Sequence, residues 1–160
     1  MLNIRISNQH IKDGKLNKVA LADLKHNILN YLRIAKSSSK NIEEALEIEE
    51  DLLDALEDNL IKIGGDKIIF NTNIYFWRCD SLTSLEGVTF NGDVSFFHNH
   101  SLSTVEKTTF TKNVEFYNCN SLKSLEGSTI YGETKFTECE SLTSLAGTVF
   151  NGKIKFNALT

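Results

Sequence analysis

The stretch Val114-Glu-Phe116-Tyr-Asn-Cys119-Asn-Ser-Leu122-Lys-Ser-Leu125-Glu-Gly127 decides how this chain folds, because it recurs. Cys79-Asp-Ser-Leu-Thr-Ser-Leu-Glu-Gly87, His98-Asn-His-Ser-Leu-Ser-Thr-Val-Glu106 and Cys139-Glu-Ser-Leu-Thr-Ser-Leu-Ala-Gly147 stand in the same frame, 20 residues apart and without gaps. Five apolar columns follow. They are Leu82, Leu102, Leu122 and Leu142; Leu85, Val105, Leu125 and Leu145; and Phe90, Phe110, Ile130 and Phe150. The other two are Ile74, Val94, Val114, Thr134 and Ile154, and Phe76, Phe96, Phe116, Phe136 and Phe156. A half-matching turn at Ile63 to Asn71, with Phe70 in the aromatic position, extends the repeat region to 61–160.

A fixed period with fixed apolar columns means that each repeat is one coil, unable to bury its apolar face alone. Stacking coils about 4.8 Å apart sets like residue over like and builds a continuous core. The phenylalanine columns fit an internal stack, and the absence of proline fits strands that donate to ladders on both sides. A rival arrangement is an antiparallel meander, since Phe90-Asn-Gly-Asp93 and Phe150-Asn-Gly-Lys153 are hairpin signals. A meander does not require gapless columns, so the solenoid is the expected fold.

The pattern Val-x-Phe-x-x-Cys-x-x-Leu-x-x-Leu resembles the leucine-rich repeat framework, and its Ser-Leu-x-Ser-Leu-Glu-Gly flavour resembles short leucine-rich-type arrays of bacterial and phage proteins. The resemblance covers about 60% of the chain and implies architecture rather than activity, since that family is defined by its fold. The second repeat departs from it, with Lys107 and Lys112 where the others have Gly87, Gly127 and Gly147, or Gly92, Gly132 and Gly152. Those two corners are expected either to do without positive φ or to differ locally.

Residues 1–60 read as an N-terminal strand and a helical hairpin that caps the stack. Leu2-Asn-Ile-Arg-Ile6 alternates like a strand, and Asp13-Gly14 is a turn signal. Leu21, Leu24, Ile28, Leu32 and Ala35 form one stripe of a helix over ~17–36, which Ser37-Ser-Ser39 breaks. Ile42, Ala45, Leu46, Leu52, Leu53 and Leu56 form a second over ~41–59, opened by a capping box at Asn41 and Glu44. Residues 1–40 carry eight basic and two acidic side chains, and residues 41–60 nine acidic and no basic ones. The two helices are therefore expected to attract each other across the hairpin. The fold class expected is α+β, a helical hairpin capping a short leucine-rich-type β-solenoid of about four coils.

Composition excludes several functions. A net charge of −4 and a pI near 5.6 disfavour binding of nucleic-acid phosphates, and no apolar run is long enough to cross a membrane. The first ten residues lack the apolar core of a secretory signal. Cys79, Cys119 and Cys139 share a column with Asn99, where the side chain is expected to bond neighbouring backbone; neither a disulfide nor zinc is expected. The pair His98-Asn-His100 lacks further ligands nearby, and the serines form ladders away from any His/Asp pair. There is no phosphate loop, dinucleotide fingerprint or zinc-protease motif. No catalytic residue, metal or cofactor is expected, and the chain reads as a non-enzyme.

The functional signal lies in what the repeat does not need. One outward column holds Trp77, Phe97, Tyr117, Thr137 and Asn157; another holds Tyr75, Ser95, Glu115, Lys135 and Lys155. The first three with Tyr75 form an aromatic stripe, which marks a protein-binding face unless the helical hairpin covers it or the ladder of rings serves only to stabilise neighbouring strands. Arg78, His98, Asn118 and His100, with Asp80 and Asn120, would flank it and set specificity. The expected partner is another protein, with a bacterial or phage effector or inhibitor acting in a cytoplasm, its own or a host's, as the setting. An alternative is an acidic inhibitor that mimics nucleic-acid charge through helix 41–60. At the C-terminal edge strand, Lys153-Ile-Lys-Phe156, either the tail Asn157-Ala-Leu-Thr160 folds across the end or two molecules join, and a homodimer is the expected outcome.

Overall fold

A computed structural model describes residues 2–38 and 59–157. The acidic helix expected over ~41–59, and with it the second half of the hairpin, lies outside the described residues. The strands are β1 (Asn3–Ile6), β2 (Ile11–Lys12), β3 (Lys15–Leu16), β4 (Ile61–Gly64), β5 (Lys67–Phe70), β6 (Asn73–Trp77), β7 (Ser84–Glu86) and β8 (Val88–Phe90). They continue as β9 (Val94–Phe97), β10 (Thr104–Glu106), β11 (Thr109–Phe110), β12 (Val114–Tyr117), β13 (Thr129–Ile130), β14 (Thr134–Thr137), β15 (Val149–Phe150) and β16 (Ile154–Asn157). Among the described residues, helix α1 spans Lys18–Ser38.

The coils stack in parallel, which excludes the meander. One sheet runs β1-β6-β9-β12-β14-β16, a second β15-β13-β11-β8-β5-β4, and β7 pairs with β10 on a third side. Register follows the period: Phe76 lies opposite Phe96, Phe116 opposite Phe96 and Phe136, and Phe136 opposite Phe156. The solenoid thus has about four coils of 20 residues. The inward columns are the core, with Phe76, Phe96 and Phe116 fully buried and stacked at 4.7 and 4.8 Å. Across the core this column meets the other phenylalanine column edge to face, Phe76 on Phe90 at 6.0 Å and Phe96 on Phe110 at 6.4 Å.

The N-terminal strand finds its partner in the first coil. β1 pairs in parallel with β6, placing Ile4 over Ile74 and Ile6 over Phe76, so it supplies the missing first strand of an incomplete coil. β5 supplies that coil's other side, Phe70 stacking on Phe90 at 5.3 Å, and β4 closes that sheet by pairing with β5 antiparallel. Asn17 caps α1, its Oδ1 accepting from the Val19 and Ala20 amides. The helix then lays Leu21 and Leu29 onto the core beside the Asn8–His10 turn and β4. Asp13 and Gly14, both with positive φ, make the turn between β2 and β3.

The two lysine corners behave differently. Lys107 adopts φ 49°, the conformation that Gly87, Gly127 and Gly147 adopt at φ 73°, 77° and 75°. At the other corner, glycine is required for room: a Cβ on Gly92 or Gly132 would meet preceding-coil backbone at 2.4 Å. Lys112 fills that position in the second coil, where Thr111, Lys112 and Asn113 are all exposed.

Candidate functional site

Strand alternation sends Tyr75, Trp77, Phe97 and Tyr117 away from the core, and all four are half-buried. Much of that burial is mutual. Tyr75 lies 5.9 Å from Trp77 and 5.2 Å from Phe97, Trp77 6.1 Å from Phe97, and Phe97 5.4 Å from Tyr117, with interplanar angles between 18° and 37°. The rings therefore turn their faces toward one another along the stack and their edges toward solvent. A ring edge is the positive end of the aromatic quadrupole, so this stripe suits carbonyls, carboxylates and apolar side chains. Stacking of bases needs free ring faces. The described helix packs at the N-terminal end, against the Asn8–His10 turn and β4.

The flanking residues gather as the spacing implies. Arg78 lies over the Trp77 ring at 5.5 Å. His98 packs edge-on against Trp77 at 5.5 Å and Tyr117 at 5.4 Å, and its Nδ1 accepts from the Asn118 amide at 2.8 Å. His100 is exposed beside it, ring centroids 6.1 Å apart. Asp80 and Asn120 are exposed at the same corner. Lys107, Lys135 and Lys155 approach Glu86, Glu115 and Glu133 at 3.7, 3.9 and 3.4 Å. Arg78, and Arg5 opposite Tyr75 in register, have no such carboxylate partner among the described residues.

One signal was invisible in the sequence. Arg78, His98, Asn118 and Glu138, in one column where the chain leaves each strand, all adopt left-handed backbone with φ 49°, 55°, 53° and 53°. Glycine would take that conformation with less strain. The corner after Glu86 uses glycine in three coils of four, whereas this corner never does. Side chains are kept there against the backbone preference, directly beside the aromatic stripe.

The cysteine column is structural. Cys79, Cys119 and Cys139 are free thiols whose Sγ atoms approach the Ile6, Phe96 and Phe116 carbonyls at 3.1, 3.7 and 3.5 Å. Asn99 does the same work, donating to the Phe76 and Phe97 carbonyls at 3.0 and 3.2 Å and accepting from the Cys79 amide. Burial pushes the Cys79 thiol up to about 11, and the neighbouring Cys139 thiol together with burial raises Cys119. Both stay protonated and unreactive at neutral pH. A second internal ladder escaped sequence reading: Thr108, Ser128 and Thr148 donate to the Leu85, Val105 and Leu125 carbonyls at 2.8, 2.8 and 3.0 Å. Hydroxyl residues in a serine- and threonine-rich repeat gave no sign of which were inside.

No described helix is long and apolar enough to cross a membrane. No family model, curated protein or solved structure matches the chain.

Proposed function

We propose that this chain is a non-enzymatic protein-binding module of leucine-rich type, and that its site is the outward face carrying Tyr75, Trp77, Phe97 and Tyr117. Arg78, His98, Asn118 and His100 set specificity along one border. The observation that carries the reading is the half-exposed aromatic stack itself, edge-out and bordered by Arg5 and Arg78, which have no carboxylate partner among the described residues. The stack serves no core purpose, and large aromatics with arginine are the residues that anchor protein interfaces. The partner chemistry that complements this face is a protein segment with apolar side chains for the stripe and carboxylates for the two arginines. The setting is that of a bacterial or phage effector or inhibitor, on the flavour of the repeat.

Affinity capture with variants tests this. Trp77→Ala and Arg78→Gly should each weaken recovery of a specific partner at least tenfold, and recovery by the wild type should survive about 0.5 M salt. Tyr131→Ala removes an exposed aromatic away from the stripe, 55% accessible, and should change nothing. Equal recovery by wild type and Trp77→Ala would overturn the assignment. Arg78→Gly should also leave the fold at least as stable, because it relieves a left-handed backbone.

A further inference from the structure

The outward rings form ridges whose pitch is set by the coils beneath them. Parallel neighbours in a sheet repeat about every 4.8 Å. Trp77, Phe97 and Tyr117 stand in register on that repeat, their ring centroids 6.1 and 5.4 Å apart. Because the ring edges face solvent, a shallow groove runs between each successive pair and crosses the strands. A partner fills these grooves only if its own side chains return at nearly the same pitch. An α-helix brings a side chain back to one face about every 5.4 Å, whereas an extended strand does so about every 6.6 Å. Over the three rings a helix therefore stays within roughly 1 Å of the ridges, while a strand overshoots by roughly 2–4 Å.

Charge on the two flanks orients such a partner. Tyr75 leans off its own column onto Phe97 at 5.2 Å and Trp77 at 5.9 Å, although its register partner is Ser95. Its column opens there into a hollow of about 340 Å³, lined by Asn73, Tyr75, Asp93 and Ser95 with Arg5 in the wall. Asp93 turns its Oδ1 to the Asn113 amide at 3.1 Å. Arg78 stands on the opposite flank, over the Trp77 ring. Both arginines lie at the first-coil end of the stripe, without a carboxylate partner among the described residues. Two coils on, Glu115 is met by Lys135 at 3.9 Å, so the cationic character is confined to one end.

We infer that the partner segment is an amphipathic α-helix lying along the solenoid axis, across the strands. This deepens the binding-face reading above and rests on it. Apolar side chains at i and i+4 enter the two grooves between ring edges, and one at i+7 passes beyond Tyr117 over Thr137, where the ring column ends. At the end over the first coil, two carboxylates flank the apolar row. One reaches Arg5 through the Ser95 hollow, and the other meets Arg78 at the corner.

The probe is a display library of random linear 16-residue peptides, selected on the immobilised 160-residue chain and re-sorted on variants. Clones weakened at least tenfold by Trp77→Ala should carry apolar residues at i, i+3 or i+4, and i+7, with Asp or Glu on both flanks of one end. A proline placed between the apolar positions of such a clone should weaken it at least a hundredfold. Arg5→Gln/Arg78→Gln, both on exposed or half-exposed side chains, should weaken it at least tenfold. Trp77-dependent clones that alternate apolar residues at i, i+2 and i+4, or that tolerate the proline, overturn the helix and leave the binding face standing. Helical clones indifferent to Arg5→Gln/Arg78→Gln overturn the placement of the carboxylates. A library that yields no clone, or only clones indifferent to Trp77→Ala, overturns the binding face and the helix with it.

Discussion

Replacing Phe116 by alanine probes the stack where it is most complete. The ring is fully buried between Phe96 at 4.8 Å and Phe136 at 5.3 Å, interplanar angles 3° and 9°. Truncating a buried phenylalanine costs about 3–5 kcal/mol, counting lost transfer energy and the cavity left behind. Here both neighbouring coils lose a stacked partner, and in a repeat fold those inter-coil contacts hold adjacent coils together. The loss should fall near the top of that range, about 4–5 kcal/mol, a large part of the 5–15 kcal/mol that typically holds a domain folded. Tyr117→Ala, one residue on, loses only partial burial and its ring contacts with Phe97 and His98, both at 5.4 Å. About 1–2 kcal/mol is expected there. Urea unfolding, followed by circular dichroism for all coils and by the fluorescence of Trp77 for the first, gives both values. Equal losses, or a larger one for Tyr117, would refute the assignment of inward and outward columns and with it the binding face.

Thr134 stands in the column of Ile74, Val94, Val114 and Ile154 with its Oγ1 buried and without a hydrogen-bond partner among the described residues. Thr134→Val should therefore raise stability by about 1–2 kcal/mol in the same assay, and the reverse change Val114→Thr should lower it. His10 is buried with Nδ1 accepting from the Ser7 amide at 3.1 Å, and burial holds its pKa below the usual value. Its contribution is complete above the unfolded-state pKa of about 6.5 and is lost as pH falls from there through the lower folded value, because the unfolded chain binds the proton more readily. The unfolding midpoint should drop between pH 7.5 and 5.5 for wild type, and His10→Gln should flatten that slope.

The period made the solenoid legible. Columns such as Phe76 to Phe156 repeat without gaps, so inward and outward faces could be assigned from the sequence. The structure places Phe76, Phe96, Phe116 and Phe136 inside and Trp77, Phe97 and Tyr117 outside, while Thr137 of the outward column is buried and Ile154 and Phe156 of the inward columns are exposed. The role of the cysteine column was legible for the same reason, Asn99 standing in for a thiol at an identical offset. The pairing of β1 was not. Ile4 and Ile6 complete a coil whose other half begins at Lys67, and two isoleucines some 60 residues from the repeat carry no register. Nor could sequence reveal the left-handed corner, because glycine, its usual marker, never stands there: arginine and glutamate give no sign of positive φ, and histidine and asparagine, which tolerate it better, hold the column in one coil each. That corner adds side chains to the site which composition alone would have treated as ordinary surface.

The binding face has its own reporter, since Trp77 is the single tryptophan of the chain and lies in the stripe. Acrylamide quenching of its fluorescence, measured on the free protein and on the purified complex with its partner, is the most direct measurement. The account predicts ready quenching of the half-exposed ring in the free chain and a severalfold smaller quenching constant in the complex, maintained at about 0.5 M salt. An unchanged quenching constant in a fully formed complex would contradict it.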